Sequence, residues 1–279
     1  MIDIEVLYDE EIPEILLPKV DFIFKLLFGD ERNKDILADF LSAVLGFEDG
    51  EIDENAIQIV DPHQKRMYAN DKLEILDVKL KLGNEKVINI ELQVNELDEM
   101  RDRIIYYISD MIVCQLRKGD NYELTPVVSI VITDYELLKE TRKYHNQIGL
   151  YEKDERFLFS DLLTIHTLEL PKFPKTQDGK LENWLEFMKA KKREEFMAIA
   201  KKSPYINRAF KVLEDVSADE NTRELYKARL KNWRDAAARE SFVEKRGIQK
   251  GRTETAKELF TLWESGVSLS EAKRKFALA

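Results

Sequence analysis

A single cysteine, three scattered histidines and no long apolar run are what this 279-residue chain has least of, and each shortage excludes a class of protein. One thiol, Cys114, cannot support a disulfide framework, so the reducing cytosol is the expected setting. Cys114 sits in an apolar helical stretch and reads as a small core residue. His63, His145 and His166 have no zinc-like spacing, and no C-x-x-C accompanies them. No segment approaches the roughly 18 to 20 apolar residues of a bilayer span. The acidic opening MIDIEVLYDEEIPE is unlike a signal peptide, so a cytoplasmic protein without a membrane partner is expected. A P-loop and a GxGxxG are both missing. Gly247-Ile-Gln-Lys-Gly-Arg252 reads as a pair of helix breaks rather than a phosphate cradle. Positive charge is also in deficit, with 44 Lys and Arg against 54 Asp and Glu. Polyanion binding rests on local cations, so either they are segregated on one face or the partner is not nucleic acid.

What is present is enough apolar residue, 44%, to bury a sizeable core in one or two domains. The most informative segment is 73–94, LEILDVKLKLGNEKVINIELQV. Leu76, Val78, Leu80 and Leu82 alternate with Asp77, Lys79 and Lys81, and Ile88, Ile90, Leu92 and Val94 with Asn89, Glu91 and Gln93. Period-two alternation gives each strand one apolar and one polar face. A three-residue loop of Gly83, Asn84 and Glu85 pairs Leu82 with Lys86, and therefore Asp77 with Glu91. Cβ atoms of such a pair lie about 5 Å apart, where like charges repel. A two-residue turn would slip the register by one and scramble the faces. The patterned register therefore forces two carboxylates together, and a divalent cation would relieve them. Without further context, the same polar face reads as the solvated side of an antiparallel sheet.

Asp77 followed by Glu91-x-Gln93 has the form of the PD-(D/E)XK nuclease signature, with Gln in the place of Lys. Upstream, Asp21-Phe-Ile-Phe-Lys-Leu-Leu-Phe-Gly29 and Asn33-Lys-Asp35 precede a helical stretch over 36–45. Downstream come Arg103-Ile-Ile-Tyr-Tyr107, Gln115-Leu-Arg-Lys-Gly119, Pro126-Val-Val-Ser-Ile-Val-Ile132 and Leu168-Glu-Leu-Pro-Lys172. This ordered set, over about residues 16 to 175, resembles the Rpn-type recombination-promoting nucleases, or PD-(D/E)XK transposase-like proteins. The resemblance implies an α/β (α+β) restriction-endonuclease-like core, a mixed sheet flanked by helices. It implies Mg²⁺- or Mn²⁺-dependent hydrolysis of DNA phosphodiesters, with Asp77 and Glu91 as metal ligands. Carboxylate oxygens suit Mg²⁺, which keeps several waters and takes up a substrate phosphate. Gln93 stands where the wider superfamily has its Lys, and it can hold a water but cannot act as a base. Lys79 on the same face, Lys25 and Asp21 are candidates to complete the site. Arg103, Tyr107 and Gln115 are candidate nucleic-acid contacts. The residues themselves also allow Arg103 to pair with Asp98, Glu99 or Asp102, and Tyr106, Tyr107 and Tyr122 to be packing residues. Asp21 and Lys25 could equally form an ordinary i,i+4 pair.

The chain divides by character into an acidic segment 1–15, a nuclease-like core 16–176 and an all-helical region 177–279. In the core, helices are expected over 22–28, 36–47 and 96–118, and strands over 56–60, 126–133 and 163–170. The β-branched run 126–133 reads as a strand buried on both faces. Beyond 177, helices are expected over 181–200, from Pro204, over 219–246, 253–264 and 268–278, the last opened by a Ser268/Glu271 capping box. The helical region is a candidate surface for a homo-oligomer or protein partner. Cations near the site are expected from Lys25, Lys79, Arg101 and Arg103, with the excess acid in the N-terminal segment and the distal helices. The competing function is a catalytically silent DNA- or protein-binding module on the same fold, which Gln93 and the net charge of −10 favour.

Overall fold

The computed structural model describes residues 12–48, 50–60, 78–174, 178–268 and 271. Among these, helices α1 (Asp21–Phe28) and α2 (Lys34–Leu45) precede a mixed sheet. Its strands are β1 (Ile57–Val60), β2 (Val78–Leu82), β3 (Lys86–Gln93), β4 (Val127–Thr133), β5 (His145–Tyr151) and β6 (Leu158–Glu169), in the spatial order β1-β2-β3-β4-β6-β5. Helix α3 (Met100–Val113) joins β3 to β4, and α4 (Lys180–Lys189), α5 (Arg193–Ala200), α6 (Pro204–Ala218) and α7 (Glu220–Glu264) follow the sheet.

The centre of the sheet is parallel, with β4 between β3 and β6, and both outer pairs are antiparallel. All seven residues of β4 are buried, as expected of an unbroken β-branched run covered on both faces. One face carries α3, which packs Met100, Ile104, Ile108 and Met111 onto Val87, Val127, Val131 and Ile165. The α3 connection from β3 to its parallel neighbour β4 is the βαβ crossover that such pairing requires. Behind the sheet, an aromatic cluster ties α1, α2 and α4 together: Trp184 lies 5.7 Å from Phe28 and 5.8 Å from Phe40, ring centre to ring centre. Trp184 is fully buried and donates its Nε1–H to the Asp39 carboxylate at 2.8 Å, while Lys180 approaches the other Asp39 oxygen at 3.0 Å. Removing that indole would cost about 3 to 5 kcal/mol.

Helix α2 ends where Gly46 was expected to end it. Gly46 adopts φ +76° and, with Phe47, returns its N–H to the Ser42 carbonyl. The capping box also forms: Glu271 accepts from Ser268 N at 3.2 Å, and Glu271 N donates to Ser268 Oγ at 3.4 Å.

Other expectations are corrected. Helix α3 is shorter than 96–118, because the chain leaves it at Cys114 and turns on Asp120, whose carboxylate takes the Arg117 N–H at 2.7 Å. Cys114 is exposed rather than core, with its thiol on the Asp110 carboxylate at 3.5 Å. Tyr106 and Tyr122 are likewise exposed, at 52% and 90%. The helix expected over 181–200 is two helices, because Glu195 folds back to accept the Lys191 and Lys192 N–H groups at 2.7 and 3.2 Å and starts a new one. Strand β5 was not expected. It is a polar edge strand, HNQIGLY, none of it fully buried. Gly247 and Gly251 do not break α7, which runs unbroken for 45 residues. Each glycine costs about 1 kcal/mol against alanine, which the surrounding Lys, Arg, Glu and Ala residues offset.

By its contacts the chain forms two compact units, residues 1–224 and 225–279. Helices α4 to α6, expected in the separate helical region, belong to the first.

Candidate active site

The β2–β3 hairpin has the register its alternation required. Leu82 pairs with Lys86, Lys79 with Asn89 and Val78 with Ile90, around a three-residue loop in which Gly83 takes φ +55°. Asp77 lies outside the described residues, so its pairing with Glu91 is an expectation that continues this register.

The polar face of β3 is not solvated. Val87, two residues before Asn89 and four before Glu91, packs under α3, so all three share that face. Asn89 is fully buried and Glu91 only 7% exposed. The reading of a solvated sheet face is therefore wrong for both. A carboxylate buried this way needs a counter-charge or hydrogen bonds, and α3 supplies one. Arg103 Nη2 stands 3.5 Å from Glu91 Oε1. The same guanidinium donates to Tyr107 Oη from Nε at 3.1 Å and from Nη2 at 2.8 Å. Partial burial works against the Arg103 charge, but Tyr107 and Glu91 outweigh it and its pKa is raised. Arg103 thus reaches a strand partner, not the near-sequence acids Asp98, Glu99 or Asp102.

Gln93 ends β3 half-buried, beside Thr133 of β4. Its Nε2 donates to the Asn95 carbonyl at 2.9 Å, which leaves Oε1 as the acceptor end of the amide. The parallel strands β3, β4 and β6 end together at Gln93, Thr133 and Glu169. Carboxyl ends of parallel strands are where open α/β sheets place ligands. Lys79 neighbours Asn89 on the same face and is partly buried. Asp21 and Lys25 lie one turn apart at the start of α1, both partly exposed. Arg101 belongs elsewhere, because Glu140 holds its guanidinium through contacts of 2.9 and 2.7 Å. Gln115, just beyond the end of α3, clamps the Thr125 backbone in both directions, at 2.9 and 2.7 Å.

Three further residues escaped the sequence reading. Asn89 buries both amide atoms without a hydrogen-bond partner among the described residues, and so does the Tyr135 hydroxyl. Burial first, then the charges of Glu96 and Glu91, push the Tyr135 phenol up to about 12. Lys19, only 6% exposed, reaches Asp134 at 2.7 Å, next to the strand ends. Asn89 could have been found, since N-x-E-x-Q alternates onto one face. Tyr135 and Lys19 arrive through tertiary packing and leave no local signal.

As to a metal, the described donors are the Glu91 carboxylate and the Gln93 amide oxygen, hard oxygens that fit Mg²⁺ in kind. No cluster of three or more His, Cys, Asp or Glu suited to a metal occurs among the described residues. The second expected carboxylate, Asp77, falls outside them. A cavity of about 960 Å³ is on the other sheet face with His145 and His166 and does not touch Glu91.

A mixed sheet flanked by helices, with a buried glutamate on the hairpin strand that enters its parallel centre, defines a nuclease-like fold of the PD-(D/E)XK type. The family model described as PD-(D/E)XK nuclease family transposase matches residues 18–241, and the chain belongs to that family. No curated protein and no solved structure gives a match. Among the described residues, no helix is long and apolar enough to cross a membrane.

Proposed function

We propose that the chain is a Mg²⁺- or Mn²⁺-dependent DNA endonuclease acting in recombination, mobile-element movement or defence, in the cytoplasm. The observation that carries this reading is the 7%-exposed Glu91 carboxylate beside the fully buried Asn89 amide, which has no hydrogen-bond partner among the described residues. Burying an amide such as that of Asn89 without a hydrogen-bond partner costs stability, and proteins accept that cost mainly at functional sites. Glu91 with Asp77 would hold the ion, and Gln93 Oε1 would accept a hydrogen bond from the attacking water. When bound, the ion would polarise the phosphoryl oxygen and lower the pKa of water. Arg103 would exchange part of its contact with Glu91 for the scissile phosphate, and Tyr107 would keep the guanidinium aimed. Lys79, Lys25 and Asp21 complete the proposed set. Net chemistry adds one water across a P–O bond and leaves a phosphomonoester and a hydroxyl. The three-part division at 15/16 and 176/177, and an oligomer or protein partner on the C-terminal helices, belong to the same proposal.

One observation favours the silent binding module. Glu91 is approached by Arg103 at 3.5 Å and Gln93 donates to Asn95, so the chain fills part of the site from within. A plasmid-cleavage assay separates the two. Cleavage with Mg²⁺ or Mn²⁺ that EDTA stops, and that Glu91→Gln and Asp77→Asn each abolish, supports the enzyme. No cleavage by the intact chain supports the module, and nicking that EDTA leaves unchanged overturns the metal site.

A further inference from the structure

An enzyme of net charge −10 that grips DNA must keep its cations somewhere, and the first compact unit is a poor place. Around the candidate site Arg103 faces Glu91, Lys19 faces Asp134 and Lys172 faces Glu169, and away from it Arg101 faces Glu140, each a close ion pair. Residues 1–224 hold 31 Lys and Arg against 47 Asp and Glu. Residues 225–279 reverse the balance, with 13 Lys and Arg against 7 Asp and Glu, a net charge of +6. The expectation that the distal helices hold the excess acid is therefore wrong for this unit. Ion pairs along the helix, such as Lys250 with Glu254 at 3.9 Å, do not remove the excess.

The excess is also ordered in space. At 100° per residue, Lys227, Lys231, Arg234, Lys245 and Arg252 of α7 fall within about 40° of one line. Lys227, Lys231, Lys245 and Arg252 are exposed, and Arg234 is partly so. Glu254 and Glu258 fall on the opposite side of the helix with Arg229, while Asp235 and Glu264 lie roughly 80° to 100° round from Lys227. From Lys227 to Arg252 the stripe is about 38 Å long, close to the roughly 34 Å of one duplex turn. An uninterrupted helix that gathers five cations along one line, with its other cations among the acids round the rest of its surface, suits a polyanionic rod.

We propose that this cationic face of α7 binds the phosphate backbone of duplex DNA, without reading base sequence, and so delivers substrate to the nuclease-like unit. The inference rests on the nuclease reading and adds the surface that holds the substrate. It assigns affinity to α7 and leaves chemistry with Glu91.

The test uses the full-length chain in EDTA and a fluorescent 30-base-pair duplex of mixed sequence, with anisotropy followed from 50 to 300 mM salt. The variant is Lys227→Gln, Lys231→Gln, Arg234→Gln, Lys245→Gln and Arg252→Gln combined. Its affinity should fall at least tenfold, and its salt slope should flatten by up to about 4.5, or about 0.9 for each lost phosphate contact. A second variant with Lys227→Arg, Lys231→Arg and Lys245→Arg keeps the charge and should bind as the parent does. Loss in that variant too would mean that fold rather than charge was changed, and would overturn the proposal. Unchanged binding by the five-fold glutamine variant would overturn it while leaving the nuclease reading intact. Failure of the parent chain to bind duplex at 50 mM salt would also overturn it; if plasmid cleavage were absent as well, the nuclease reading would fall with it. Binding to phosphatidylserine vesicles in preference to duplex would reassign the face to a membrane surface and overturn the proposal.

Discussion

Two buried glutamates lie on the same face of the sheet, and they are treated in opposite ways. Glu169, at the end of β6, is fully buried and closed. Lys172 meets it at 2.7 Å, the Leu138 N–H donates to it at 3.2 Å, and Asn146 reaches its second oxygen at 3.4 Å. Glu91, on β3, has Arg103 at 3.5 Å, and that guanidinium is shared with Tyr107. Beside it, Asn89 and Tyr135 bury polar atoms with no hydrogen-bond partner among the described residues. A buried charge that is fully compensated holds structure together. A buried charge among under-compensated neighbours is a site prepared for something else.

The largest effect should come from breaking the closed pair. Glu169→Ala leaves the buried Lys172 ammonium, whose side chain is 5% exposed, with the Leu138 carbonyl but without its carboxylate. Loss of one partner from a buried pair costs about 3 to 5 kcal/mol, which urea unfolding will measure. A loss under 1 kcal/mol would erase the contrast between the two glutamates.

A buried polar pair on the opposite face sharpens the comparison through pH. His145 Nε2 and His166 Nδ1 lie 2.9 Å apart. Burial first, then His145, depresses His166 to about 4, and burial also lowers His145 against the pull of Glu182. Both rings are therefore neutral in the fold and protonate more readily when unfolded. Their stability is fully present above the unfolded value near 6.5 and is lost as pH falls towards 4. For His166 the loss is about 3 kcal/mol. His166→Asn should flatten the dependence of unfolding free energy on pH between 6.5 and 4.5, and an unchanged slope would contradict the assignment.

Smaller still is Tyr135→Phe, which removes a hydroxyl that lacks a partner among the described residues. Stability should hold or rise by up to about 1 kcal/mol, read as the urea midpoint. A loss above 1 kcal/mol would show that the hydroxyl is compensated after all.

The sequence made some of this legible, for physical reasons. Alternation fixed the hairpin register, because a one-residue slip would have moved Leu80 and Ile90 onto the face that carries Asn89 and Glu91. Gly46, β4 and the Ser268 capping box were readable because each is a local device. The cover over Glu91 was not, since α3 lies downstream of β3 and its amphipathic pattern does not say which sheet face it will choose. Strand β5 was missed because an edge strand needs little apolar content, and its pairing to β6 is written in the backbone. Lys19 and Asp134 are 115 residues apart and meet only through the fold. The Glu169–Lys172 pair, three residues apart, was within reach and was passed over. Gln115 was drawn towards the site by its place in the resemblance, while its amide serves the Thr125 backbone.

The most direct test of the contrast is Glu91→Gln assayed twice, for plasmid cleavage with Mg²⁺ and for unfolding free energy. The account predicts that cleavage falls at least about 100-fold, equivalent to about 2.7 kcal/mol of barrier. Stability should change by less than 1 kcal/mol or rise, because Arg103 keeps Tyr107 and partial access to water. Cleavage at the parent rate, or a loss of stability as large as that of Glu169→Ala, would contradict it.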